Sequence, residues 1–148
     1  DGDEYDVARQ LKQYVFNAPS VFNFFQPGYS PNGEIKDAGL VAPEFQITNG
    51  VTIIEIKNLI DLWVDTAHIG ERVGYLAPQT VSFEHEIALA NDVEALITHL
   101  DTLMTYGTLS ANSRNAIKTV LEGEPEALDR VKKAVYLIAV SPDYAVAL

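Results

Sequence analysis

The stretch "VEALITHLDTLMTYG", Val93 to Gly107, carries the plainest structural signal in the chain. Val93, Leu96, Ile97, Leu100, Leu103 and Met104 recur at three- and four-residue steps, the spacing of one face of an α-helix. Asp92 stands in front as an N-cap, and Gly107 stands behind, where a left-handed residue ends a helix. An amphipathic helix must bury its stripe against something, so the reading extends outward to its neighbours.

Downstream, Ser110 caps a short helix carrying Ile117, Val120 and Leu121, and Pro125 suits the first turn of a last helix with Leu128, Val131, Ala134, Val135 and Ile138 inward. Glu126 with Arg130 and Asp129 with Lys133 stand at i, i+4 on its outer side and are expected to pair. The short connections predict antiparallel neighbours. Residues 92–148 therefore read as a set of packed helices.

Upstream, Thr48 or Asn49 can cap "VTIIEIKNLIDLWVDTAH", where Ile53, Ile56, Ile60, Trp63 and Ala67 make a face widened by Ile54, Leu59, Leu62 and Val64. So apolar a central helix, over 48–68, is expected to be buried on more than one side. Between Ile69 and Asn91, Val81, Phe83, Ile87 and Leu89 alternate with polar residues, which with "RVGYL" before Ala77-Pro78-Gln79 predicts a small hairpin. "EHEIALAN" reads equally as a helical turn or two. At the other end Asp6 can cap a helix with Val7, Ala8, Leu11, Tyr14 and Val15 on one face, ending near Asn17. The fold class is mainly α: one helical domain over 1–148, a bundle of about five helices with a long ordered loop and one small β-hairpin.

That loop, residues 18–47, includes "PSVFNFFQPGYSPNGEIKDAGLVAPEFQI", in which no helical or strand period fits. Two readings stand side by side. Phe22, Phe24, Phe25 and Tyr29 can form a platform for a sugar ring or a partner peptide, with Asn23 and Gln26 supplying hydrogen bonds. The ordinary outcome is packing, with the rings filling gaps between helices while Pro27, Gly28, Pro31, Gly33 and Pro43 fix the backbone path.

Composition narrows the functions available. Of 148 residues, 47% are hydrophobic and 21% charged, so a packed core is expected. With 21 acids against 10 bases the net charge is −11, a field that repels nucleic-acid backbones and anionic membranes. The absence of cysteine removes disulfides, zinc–thiolate sites and a thiol nucleophile. No apolar run is long enough for membrane insertion. The partners left are protein or polysaccharide.

"SVFNFFQPGYSP", "LVAPEFQI", "LMTYGTLSANSRNAI" and "RVKKAVYLIAVSPDYAV" together resemble the C-terminal part of the bacterial domain-of-unknown-function family 1800. The ending "AVAL" departs from the family's usual one. The resemblance implies an exported protein several hundred residues long, of which this chain is a C-terminal fragment. It implies no activity and carries over no catalytic residues, because the family has none established.

Chemistry is then judged on side chains. Asp61 and Asp65 lie one turn apart on one helical face, with His68 three residues on and Glu71 near, a spacing able to hold a divalent metal, with His85 of "EHE" as a further donor. The bland reading is a solvated acidic face, and no cofactor is expected. "DGDEYD" lacks the glycine and terminal glutamate of a calcium loop. His99 reads as a boundary residue beside an apolar stripe. No G-x-S-x-G, phosphate-binding glycine loop or H-E-x-x-H is present. Two functions from different classes remain: a helical interaction or scaffold domain working through the aromatic loop, and part of a hydrolase-like enzyme using Asp61, Asp65, His68 or His85.

Overall fold

The computed structural model describes residues 11–14, 16–69 and 79–145. The protein is mainly helical. In chain order the described elements are α1 (Glu34–Asp37), a 3-10 turn (Pro43–Gln46), α2 (Gly50–Thr66), β1 (His68–Ile69), β2 (Gln79–Thr80), α3 (Glu84–Leu89), α4 (Val93–Met104), α5 (Ala111–Glu122), α6 (Ala127–Ala139) and α7 (Pro142–Ala145). The chain divides into two compact units, 1–59 with 71–75 and 60–70 with 76–148, and the division falls inside α2.

The second unit is built on α4. Asp92 Oδ1 accepts from Ala95 N–H at 3.0 Å and starts the helix as its spacing predicts. At the other end Thr105 and Gly107 both donate to Asp101 O, at 2.9 and 3.1 Å, and the chain turns through Tyr106 (φ 56°) and Gly107 (φ 78°). Both bonds end on one of the carbonyls a helix end leaves open. Ser110 Oγ accepts from Ser113 N–H at 3.2 Å to cap α5.

α4, α5 and α6 contact one another, α3 packs on α4 and α6, and α7 on α6. Leu96, Ile97 and Leu100 of α4, Ile117 and Leu121 of α5, and Val131, Ala134 and Ile138 of α6 form one buried cluster with Ala90 and Leu109. Val120 and Leu128, expected inside, are exposed. Leu128 sits in the first turn of α6 ahead of the buried set, and α5 buries only a narrow i, i+4 stripe.

Two further expectations fail here for identifiable reasons. The strand reading of 81–89 is overturned, because Glu84–Leu89 is helical. In this helical turn Phe83 and Leu89 pack against the cluster and Ala90 is part of it, while Ile87 is exposed. β1 pairs antiparallel with β2, His68 opposite Thr80 and Ile69 opposite Gln79. "RVGYL" lies outside the described residues, as do residues 7–10 of the expected first helix; its second half is not formed, since after Leu11 no described residue up to Asn17 is helical and Lys12 and Phe16 each turn through φ 57°.

Neither expected i, i+4 pair of α6 appears. Arg130 instead donates to the carbonyls of Ala90 and Glu124, and Lys133 bonds the Glu124 carboxylate. A guanidinium on an open carbonyl at the end of α3 gains a charge-assisted bond, which outweighs an exposed surface pair.

In the first unit, Asn49 rather than Thr48 caps α2. Its Oδ1 accepts from Val51 and Thr52 N–H at 2.9 and 3.2 Å, while Asn49 N–H donates back to Thr52 Oγ1 at 2.8 Å. This reciprocal box buries Thr52. The helix, however, is not buried on several sides. In its first-unit part only Thr52 and Leu59 are buried, and Val51, Ile53 and Ile54 are exposed. Hydrophobicity shows which residues favour burial, and whether an element covers them is decided elsewhere in the fold.

Candidate functional site

The aromatic loop is held by its backbone more than by its rings. Asn23 N–H donates to Ser20 O at 3.1 Å and Phe22 N–H to Ser20 Oγ at 3.1 Å, a tight turn that places Asn23 at φ 70°. Gln26 N–H donates to Gln46 Oε1 at 2.6 Å, Tyr29 N–H to Gln26 O at 3.0 Å, and Ala42 N–H to Tyr29 O at 2.9 Å. Those bonds join "SVFNFFQPGYSP" to "LVAPEFQI". Gln46 was not among the residues singled out from the sequence, since an amide's long-range partner leaves no periodic trace.

Of the six loop residues proposed to bind, Phe22, Asn23 and Gln26 are exposed, and Phe24, Phe25 and Tyr29 are partly buried. Around them Val21, Leu40, Val41 and Phe45 are exposed as well. The packing reading expects buried rings, and no ring of this loop is buried.

The carboxylate and histidine candidates fall in separate places. Asp61 and Asp65 line a cleft of about 310 Å³ with Val64, Glu124, Asp129, Lys132, Lys133 and Tyr136. There Lys132 Nζ lies 3.3 Å from Asp65 Oδ1 and 2.6 Å from Asp65 O, so the cation facing that carboxylate is an ammonium. His85 lies on α3 with its ring 4.8 Å from that of His99, and His99 Nε2 is 3.0 Å from Glu86 Oε1. His68 is in β1; Glu71 and "DGDEYD" lie outside the described residues. Among the described residues no group of three histidine or acidic side chains is placed to hold a metal ion.

The most developed polar arrangement is one the sequence reading passed over. Asp101, 4% exposed, accepts from Thr105 Oγ1 and from Leu109 N–H at 3.0 Å on one oxygen, and from Arg114 at 2.7 Å on the other. Arg114 also reaches Glu94 Oε1 at 3.0 Å and Thr98 Oγ1 at 3.1 Å, and Lys118 Nζ lies 3.3 Å from Glu94 Oε2. Burial pushes the Asp101 carboxyl up, but the Thr105, Leu109 and Arg114 hydrogen bonds outweigh it and hold the group below the usual carboxylate range. Hydrogen bonds from Lys118 and Arg114 lower Glu94 too. At the far end, hydrogen bonds from Ser113 and Ser110 lower Asp143, and Ser110 Oγ donates to Asp143 Oδ2 at 3.0 Å.

This network is a lock, joining α4, the turn after it, α5 and α7. Thr105, Leu109, Ser110, Ser113 and Arg114 come from "LMTYGTLSANSRNAI" and Asp143 from "SPDY", so those sequence signatures supply structural partners to each other and to Asp101 and Glu94, which lie ahead of them. The signal that could have revealed it is Asp101 itself, a charge four residues after Ile97 on the apolar face of α4.

An apolar pocket of about 250 Å³ completes the second unit, lined by Ile60, Trp63, Val64, Val81, Phe83, Val135, Ala139 and Tyr144. No described helix is long and apolar enough to cross a membrane. Fold and contacts together define a mainly helical protein with a locked bundle and an apolar loop left in contact with solvent.

The chain belongs to the family described as protein of unknown function (DUF1800), whose model matches residues 3–146, nearly its full length. No curated protein and no solved structure matches it.

Proposed function

We propose that this chain is a helical interaction or scaffold domain, a bundle of about five helices forming the C-terminal part of a longer exported bacterial protein. Its contact surface is the apolar one of residues 18–59, and its partner is a protein segment. The carrying observation is that Val21, Phe22, Leu40, Val41, Phe45, Val51, Ile53 and Ile54 are all exposed within that span. Eight large apolar side chains exposed within residues 18–59 favour a binding face over singly scattered surface residues.

The make-up of the surface favours protein over polysaccharide. Sugar recognition needs flat aromatic faces ringed by polar groups, whereas most of these residues are aliphatic and Phe24, Phe25 and Tyr29 are partly buried. A net charge of −11 favours a partner whose apolar anchors are flanked by basic residues. Export rests on the family likeness alone, and recovery of the protein from the cytoplasm on cell fractionation would overturn it.

The test is selection of displayed random peptides on the immobilised chain and on a Phe22→Ser, Ile54→Ser variant. The expected result is enrichment of apolar peptides with basic flanks on the native chain, and binding weaker by about tenfold or more on the variant, the loss of one hot-spot contact. No enrichment, or equal binding to both, sinks the proposal. A fall in melting temperature of the size a core substitution produces would make the loop structural instead.

A further inference from the structure

Only two asparagines in the chain precede glycine, Asn32 before Gly33 and Asn49 before Gly50. Such a pair is chemically exposed, because a glycine without a side chain lets its backbone nitrogen approach the asparagine Cγ. The fold treats the two pairs in opposite ways.

At Asn49 the amide is pinned. Its Oδ1 accepts from Val51 N–H and Thr52 N–H, its own N–H is held by Thr52 Oγ1, and its carbonyl accepts from Ile53 N–H at 3.0 Å. Turning Cγ toward Gly50 N breaks both bonds of the cap. At Asn32 the side chain is exposed, and among the described residues its one partner is Lys36 Nζ, 3.3 Å from Oδ1. That ammonium donates to the oxygen on which charge collects when a nitrogen adds to Cγ, so it assists attack. Gly33, at φ 113°, is in a conformation open to glycine and has nothing within 4 Å of where a Cβ would stand. Among the described residues its N–H has no acceptor.

We infer that Asn32 is a site of spontaneous, self-catalysed modification, converting to aspartate and isoaspartate, and that Asn49 is protected by its role as helix cap. In the step, Gly33 N bonds to Asn32 Cγ, the Cγ–Nδ2 bond breaks, and ammonia leaves with the proton from the glycine nitrogen. Water then opens the cyclic imide on either side, giving one carboxylate and no change of oxidation state. The product sets a negative charge beside Glu34 and Asp37 in the loop that carries the family signatures.

The experiment is to incubate the full chain in mildly alkaline buffer and follow both asparagine-containing peptides by mass spectrometry, folded and in denaturant. Conversion at Asn32 is expected to run about thirtyfold faster than at Asn49 in the folded chain, the worth of two ordinary hydrogen bonds, and to lose that lead in denaturant. A Lys36→Met chain should convert more slowly at Asn32 while leaving Asn49 unchanged. Equal rates in the folded chain, a faster Asn49, or a lead that persists in denaturant overturns the inference.

Discussion

The two units of this chain handle similar apolar content differently. The second gathers ten buried apolar side chains into one cluster, each helix supplying the partner its neighbour's stripe requires. Among its described residues the first buries one large apolar side chain, Leu59, and exposes aliphatic residues on α2 and on the loop before it. Partners account for the difference: each stripe of the second unit meets a complementary stripe, whereas Val51, Ile53 and Ile54, although they stand on a helix, and the apolar residues of the turn-rich loop are left exposed. What a loop of this kind leaves exposed is available to something else.

Core truncation is the strongest way to break that comparison. Leu96→Ala should cost about 2 to 5 kcal/mol in denaturant unfolding, since Leu96 is fully buried, while Ile54→Ala, at a residue 60% exposed, should stay within about 0.5 kcal/mol. A large loss at Ile54 would mean that the first unit has a core of its own.

A smaller effect sharpens the account of the lock. Asp101 is held below its ordinary value in the folded state, so the unfolded chain binds the proton more readily. Stability from this group is therefore complete above the unfolded value, about pH 4, and is lost as pH falls through the folded one. Asp101→Asn should cost about 1 to 3 kcal/mol at neutral pH and flatten the acid limb of the stability profile relative to the native chain. Parallel profiles would remove the carboxylate from the lock.

The smallest effect concerns the end of α4. Tyr106, 90% exposed, occupies a left-handed conformation that glycine adopts without penalty. Tyr106→Gly should stabilise the second unit by up to about 1 kcal/mol, read as a rise in melting temperature. A fall would show that the tyrosine ring has a stabilising contact of its own.

The helices were legible because their signals are local. Asp92, Ser110 and Gly107 mark boundaries by chemistry that acts within one turn, and the stripes of α4 and α6 show in spacing alone. The region 81–89 was misleading, since a short segment satisfies two periods and only packing against α4 and α6 chooses between them. For the site, the sequence singled out the loop's aromatics but not Gln46, and Asp61, Asp65 and His85 but not the lysine and histidine that now face them.

The sequence by itself determined a mainly helical acidic chain, its principal helix caps and its family, because composition, capping and signatures are properties of contiguous residues. Tertiary structure alone decided that Asp101 meets Arg114 thirteen residues away, that Arg130 caps α3 rather than pairing with Glu126, and that Val51, Ile53 and Ile54 of α2 remain exposed. Those outcomes depend on which groups the folded backbone brings within hydrogen-bond reach and which surfaces it leaves to water. No local pattern encodes that distance.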